Sequence, residues 1–248
     1  MAKTNSKAVN VVCDIGNITS IGMSNEKEIV IESRIKKVES NIDDFSQNEK
    51  FTYENDNYLI NEGKFENDIL KFKKDNYLML LYYTIAKCTD SNNINLVTCI
   101  PASRYKSRKE EMEEFIKQNN KKTVIVEGKK RNITIDKVTV LPEGYAFKSD
   151  RNIINNIKRN VDTTFLDFGG LTTDIVEFDS NMQLKNANSI NIGLLTLYNS
   201  CREYINITYD LDLSLEECKT IFDGEQQLLV DPDFKYKKEL VKKFIINI

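Results

Sequence analysis

Leu166-Asp167-Phe168-Gly169-Gly170-Leu171-Thr172-Thr173-Asp174 is the stretch on which the reading of this chain turns. Residues 163–168 have the apolar and β-branched character of a strand, and the strand ends on a carboxylate. Gly169-Gly170 then forces a turn, and residues 172–178 return as a second strand. Two glycines in such a turn let backbone N–H groups approach anionic oxygens without a Cβ clash, and Leu171 continues the loop. Thr172 and Thr173 add hydroxyl donors. Asp167, at the strand end, is placed to face a metal ion or its waters. Taken alone, the same residues also describe an ordinary glycine-rich hairpin.

Working outward, the same order occurs near the N-terminus in Asp14-Ile15-Gly16-Asn17-Ile18-Thr19-Ser20. Val9 to Asp14 reads as a buried strand, Gly16-Asn17 as a tight turn, and Thr19 to Ser24 as the returning strand. Strand, Asp, any residue, glycine turn, Thr, strand is thus repeated at a spacing of about 150 residues, the mark of an internal duplication into two similar α/β halves. Two opposed loops gripping one polyphosphate, with Asp14 and Asp167 around one divalent cation, make physical sense of the repeat.

Between them lies Val138-Thr139-Val140-Leu141-Pro142-Glu143-Gly144-Tyr145-Ala146-Phe147. A carboxylate directly after a strand, at the start of a helix, is suited to orient a water against a terminal phosphate. The bland alternative is a first-turn Glu favoured by the helix macrodipole. Composition strengthens the first reading. The chain has no histidine, which excludes Ser-His-Asp and Cys-His nucleophile systems, His-ligated zinc and an imidazole base. Chemistry here rests on carboxylates, Lys/Arg, hydroxyls, backbone amides or a metal.

The 248 residues suit one large or two smaller domains, and a net charge of −3 gives no basic field for direct nucleic-acid binding. Cys13, Cys88, Cys99, Cys201 and Cys218 are scattered and odd in number, as expected of buried small hydrophobes in a reducing cytoplasm. No signal peptide and no membrane span is legible. Residues 28–34 read as a third strand of the opening meander. Residues 36–74 read as a polar insertion, outside the core, with short apolar pieces at 51–53 and 58–60. A helix is expected over 75–88 and a strand over 95–100, closed by Pro101. A second helix is expected from Ser107, whose S-x-x-E spacing to Glu110 suits a capping box. Strands follow at 122–127, 132–135 and 137–141, and a weak helical pattern at 149–162. The lysine runs Lys71-Phe72-Lys73-Lys74 and 235–243 read as solvated faces with snorkelling stems.

In order, these three motifs resemble the actin-like ATPases, and within them the plasmid-segregation actins of the ParM type. Asp14 to Ser20 is similar to the family's first phosphate loop, Asp167 to Asp174 to its second, and Pro142-Glu143 to the segment bearing its catalytic carboxylate. Ile100-Pro101 followed by Tyr105 resembles the Leu-Pro-x-x-x-Tyr stretch of bacterial members. The resemblance implies an α/β, actin-like (ribonuclease H-like, duplicated) fold with halves at 1–148 and 149–248 around a nucleotide cleft. It implies ATP or GTP with Mg²⁺ held through waters near Asp14 and Asp167, and hydrolysis in which Glu143 and Asp167 take part. Phosphates would lie on Gly16, Asn17, Ile18, Thr19, Ser20, Gly169, Gly170, Leu171, Thr172 and Thr173, with Gly193 in the connecting turn beyond. The implied biology is a cytoplasmic filament that associates with itself and moves plasmid DNA indirectly, through a DNA-binding adaptor.

The last quarter departs from that pattern. After Ile192-Gly193-Leu194-Leu195 no Gly-Gly follows, and the remaining glycine is Gly224. Leu240, Val241, Phe244, Ile245 and Ile248 have the spacing of one helix face, on which the sequence stops. A chain cut before its base-binding segment is therefore expected, marginally stable and weak in nucleotide binding. A sugar-kinase-type phosphotransferase and a truncated relative that caps filaments without turnover are the alternative readings.

Overall fold

The computed structural model describes residues 7–39, 49–66, 68, 70–145, 147, 151–157 and 160–223. Ala146, Gly224 and the 235–248 segment, all discussed above, lie outside them. Contacts divide the chain into a large unit ending at Asn191 and a small one starting at Ile192. This is a division by compactness; the halves at 1–148 and 149–248 are a division by motif.

The large unit opens with a meander, β1 (Val9–Ile15), β2 (Thr19–Met23) and β3 (Glu28–Glu32), as the alternation in the sequence implies. Next come β4 (Ile35–Val38), β5 (Lys50–Tyr53) and β6 (Asp56–Ile60). A 3-10 turn at Lys71–Lys73 leads into helix α1 (Tyr77–Cys88). Strand β7 (Asn93–Ile100) is followed by a second 3-10 turn at Ala102–Arg104 and helix α2 (Tyr105–Gln118). Strands β8 (Lys121–Val126) and β9 (Lys129–Pro142) then complete a nine-stranded sheet in the order β3-β2-β1-β7-β9-β8-β5-β6-β4.

The expectation that 36–74 is an insertion outside the core is wrong. β4, β5 and β6 belong to this sheet, and Phe51, Leu59, Ile60, Phe65 and Phe72 are all buried. Short strands interrupted by polar residues hide their alternation, yet each needs only two or three inward side chains. The strands expected at 132–135 and 137–141 are one continuous β9, with a register shift against β7 at Ile94/Asn95 that absorbs the extra residue. The Ser107 capping box does not form. The helix starts two residues earlier, at Tyr105, and the Ser107 hydroxyl donates to the Arg104 carbonyl.

Helix α1 is the centre of the core, with Tyr77, Leu80, Leu81, Tyr82 and Ile85 fully buried against the sheet. It lies so close to β2 that a Cβ on Gly22 would stand 2.3 Å from Thr84 Cγ2 and 2.7 Å from Cys88 Sγ. Its C-terminal carbonyls are held by Arg131 of β9, which donates to the carbonyls of Ala86 (2.9 Å) and Thr89 (2.6 Å). These are the orphan acceptors every helix end carries.

After α3 (Arg151–Asn156), strands β10 (Thr163–Phe168), β11 (Thr173–Phe178) and β12 (Leu184–Ile190) form a separate antiparallel sheet. Phe178, Val176 and Ala102 are its buried anchor. The small unit contains α4 (Leu194–Tyr209) and α5 (Leu215–Phe222), packed through Cys201, Ile205 and Cys218. Here Ser214 and Glu217 do form a capping box. Among the described residues, the cysteines are free and no helix is long and apolar enough to cross a membrane.

Candidate functional site: two glycine turns and a buried lysine

The two glycine turns are built alike. In the first, the Gly16 N–H donates to the Thr19 carbonyl at 3.0 Å; in the second, the Gly169 N–H donates to the Thr172 carbonyl at 2.9 Å. Each follows its strand's Asp by two residues, Asp14 on β1 and Asp167 on β10. The fold also brings them face to face. A Cβ on Gly170 would come within 2.8 Å of Asn17 Cβ and 3.3 Å of the Ile18 amide nitrogen. The Asn17 side-chain oxygen is buried at this junction with no partner among the described residues.

Glu143 reaches the same place by the end of the parallel β7–β9 ladder. Pro142 pairs with Ile100, and the Glu143 N–H donates to the Ile100 carbonyl at 2.9 Å. It lies in a turn with Gly144, whose missing Cβ admits Val176 of β11. The Glu143 side chain is 8% exposed.

Lys71 joins the pieces. Its ammonium stands 2.7 Å from Asp14 Oδ1 and 2.6 Å from Glu143 Oε1, with the side chain 9% exposed. Lys74, one turn on, donates to the Gly16 carbonyl at 2.8 Å and is buried as well. The reading of this lysine run as a solvated face is therefore wrong for both. Of the three, Lys73 is the exposed one, paired with Glu111 at 2.6 Å. A buried lysine needs an anionic or carbonyl partner, and the partner of Lys71 lies 57 residues away, so no local pattern shows it. The available signal was the excess of acids: Asp14, Asp167 and Glu143 in one site call for a cation.

The electrostatics follow from this grouping. Burial pushes the Glu143 carboxyl up to about 8, with Lys71 opposing and Asp14 and Asp174 adding to the rise. Burial alone would raise Asp14 too, but the charge and hydrogen bond of Lys71 hold it below its ordinary value. Burial works against the Lys71 ammonium, yet Asp14 and Glu143 keep it well above the usual lysine range. Lys74, buried beside Lys71, is pushed down to about 7. Asp167 is raised, first by burial and then by Asp14.

Not every residue of the two motifs points a free polar group at the junction. The Ser20 hydroxyl is buried and shares a 2.8 Å hydrogen bond with that of Ser33. The Thr172 hydroxyl donates to Asp174 Oδ2, and Thr173 is buried on β11. Asp174 itself is 1% exposed. It accepts from the Ala102 N–H (2.9 Å) and the Ser189 hydroxyl (2.7 Å), tying the second turn to the segment after β7. Gly193 caps the start of α4 in the small unit.

The chain belongs to the actin-like protein family. The family described as "Actin like proteins N terminal domain" matches residues 13–145. Solved structures agree on the fold. A Clostridium botulinum ParM, in a 15-stranded filament, superposes with a TM-score of 0.78 at 16% identity, over 98% of this chain and 81% of its own. The pCBH ParM non-polymerisable quadruple mutant gives 0.74 at 17%, over 97% and 83%. The archaeal actin homologue Ta0583, in complex with ADP, gives 0.72 at 15%, over 96% and 80%. No match was found among the curated proteins.

Proposed function

We propose that the chain binds a Mg²⁺-nucleoside triphosphate, ATP or GTP, hydrolyses it and assembles into filaments that segregate plasmid DNA through an adaptor. The observation that carries this reading is the contact of Gly170 with Asn17 and Ile18, two identically closed glycine turns meeting beside Asp14, Lys71 and Glu143. On it, residues 1–148 and 149–248 are the two halves of the duplication. The ADP complex of the archaeal homologue and the filament of the clostridial ParM, both of the same fold, support the nucleotide and the self-association.

The residues fit a metal-bound polyphosphate. Gly170 packs on Asn17 and Ile18 with no side chain between the turns, the buried Asn17 oxygen is an acceptor without a partner among the described residues, and Asp14 and Asp167 offer hard oxygen donors. When bound, Mg²⁺ supplies charge neutralisation of the phosphates. The chain supplies the rest. Asn17 and Ile18 on one side, and Gly170 and Leu171 on the other, hold phosphate oxygens by backbone N–H groups, while the N–H groups of Gly16 and Gly169 close the turns on the carbonyls of Thr19 and Thr172. Asp14 and Asp167 would hold the metal through its waters. Glu143 orients the attacking water and accepts its proton, the part that a buried carboxylate held directly after β9 is placed to play.

Phosphate release and electron microscopy of the full chain, with Mg-ATP, Mg-GTP and no nucleotide, test the reading. Nucleotide-dependent filaments and phosphate release are expected. A monomer with no nucleotide binding would overturn it, and bound nucleotide or filaments without turnover would reduce it to a non-hydrolysing relative.

A further inference from the structure

Three candidate metal donors, from Asp14, Cys99 and Glu143, lie within 4.8 Å of one another. The Lys71 ammonium spans the cluster, touching Asp14 and Glu143 below 3 Å. It has the place and the sign of a cation held by carboxylates. It cannot share that place with a divalent ion, because like charges a few ångströms apart beside the buried Glu143 carboxyl repel strongly.

We propose that Lys71 is a placeholder cation: its ammonium holds the Asp14–Glu143 pair in the nucleotide-free chain, excludes a free divalent ion from it, and moves to a phosphate when metal and nucleotide arrive together. This rests on the nucleotide reading above and adds an order to it. An ammonium has three N–H donors and no acceptor. If a metal displaced it alone, a buried positive charge would be left without a partner. Nucleotide phosphates remove that obstacle, since they would give Lys71 a new anion while a metal held at Asp14 and Asp167 would keep a positive charge beside Glu143. Every buried charge stays paired through the exchange. The lysine is also placed to move, on a three-residue 3-10 turn rather than within α1. Lys74, bonded to the Gly16 carbonyl, anchors that turn to the first glycine loop.

The test uses Mn²⁺ as the probe, with the full chain and no nucleotide, read by electron paramagnetic resonance and titration calorimetry. Lys71→Met should bind Mn²⁺ roughly 10-fold or more tightly than the natural chain, since the competing charge is gone. The gain should vanish in Lys71→Met/Glu143→Gln, which lacks the second carboxylate. If Lys71→Met is unfolded without metal, recovery of a cooperative melt on adding Mn²⁺ is the same result. Binding no tighter than that of the natural chain would overturn the proposal. So would a variant that stays unfolded in millimolar Mn²⁺. Failure of the nucleotide reading shows separately, as absent nucleotide binding by the natural chain.

Discussion

Gly170 and Asn17 are in contact across the two turns, so close that a single added carbon on Gly170 would meet the Asn17 Cβ at 2.8 Å. The contact joins residues far apart in sequence, and it makes the spacing between the turns a quantity set by the absence of a side chain.

Gly170→Ala is accordingly expected to pry the turns apart, costing about 1–3 kcal/mol of stability and weakening nucleotide affinity in parallel. Gly16→Ala should be worse, because its Cβ would lie 2.5 Å from the Thr19 carbonyl oxygen, a backbone atom that cannot swing away. Gly128 provides the control. Its φ is +73° and nothing lies within 4 Å of its Cβ position. Gly128→Ala should therefore cost only the left-handed strain of about 1–2 kcal/mol and leave nucleotide binding untouched. Urea melts and nucleotide titrations of the three variants check the ranking.

Glu143→Gln should retain nucleotide yet slow phosphate release by roughly 10²–10⁴-fold. Its effect on stability has a definite sign with pH. In the folded chain the carboxyl titrates at about 8, in the unfolded chain at its ordinary 4.5. Between these values the folded state keeps a proton that the unfolded state has lost, so the stabilisation is complete below the lower value and falls away as pH rises through the upper. Melts of the nucleotide-free chain should drop across that window, and drop less for Glu143→Gln.

Phe51→Ala should cost about 3–5 kcal/mol, because Phe51 is 1% exposed and meets the Tyr83 ring edge-on at 5.3 Å. A segment outside the core would lose almost nothing. Equilibrium unfolding of the variant decides between the two.

Arg131→Met leaves the carbonyls of Ala86 and Thr89 without their donor inside the protein. A loss of about 2–4 kcal/mol is expected, with hydrogen exchange speeding up first at the C-terminal turn of α1.

The parts legible in the sequence were those whose cause is local. A strand ending on Asp and turning on glycine needs only its own residues, so Asp14 to Thr19 and Asp167 to Thr172 form as read, and β10 has the bounds expected of it. β9 ends at Pro142, as read. What escaped depends on distant partners. Lys71 and Lys74 look like any exposed lysines until Asp14, Glu143 and the Gly16 carbonyl are brought to them. β5 is a strand because β8 and β6 flank it, and four residues alone cannot say so. Ser107 has the right spacing for a cap, but a preceding 3-10 turn had already started the helix.

The missing side chain at Gly22 has a mechanical consequence. With Thr84 and Cys88 pressed into the space a Cβ would fill, α1 cannot slide along or roll on β2 without opening the core. It is a fixed post, and the lysines stand on the short tether in front of it. Any change of partner by Lys71 is then a motion of one turn and two side chains, on the nanosecond-to-microsecond scale of loops rather than the slower scale of shifting helices. News of an arriving phosphate would leave this site through the glycine turns and the Asp174–Ala102 bond, with the helix behind serving as the frame against which that movement is measured.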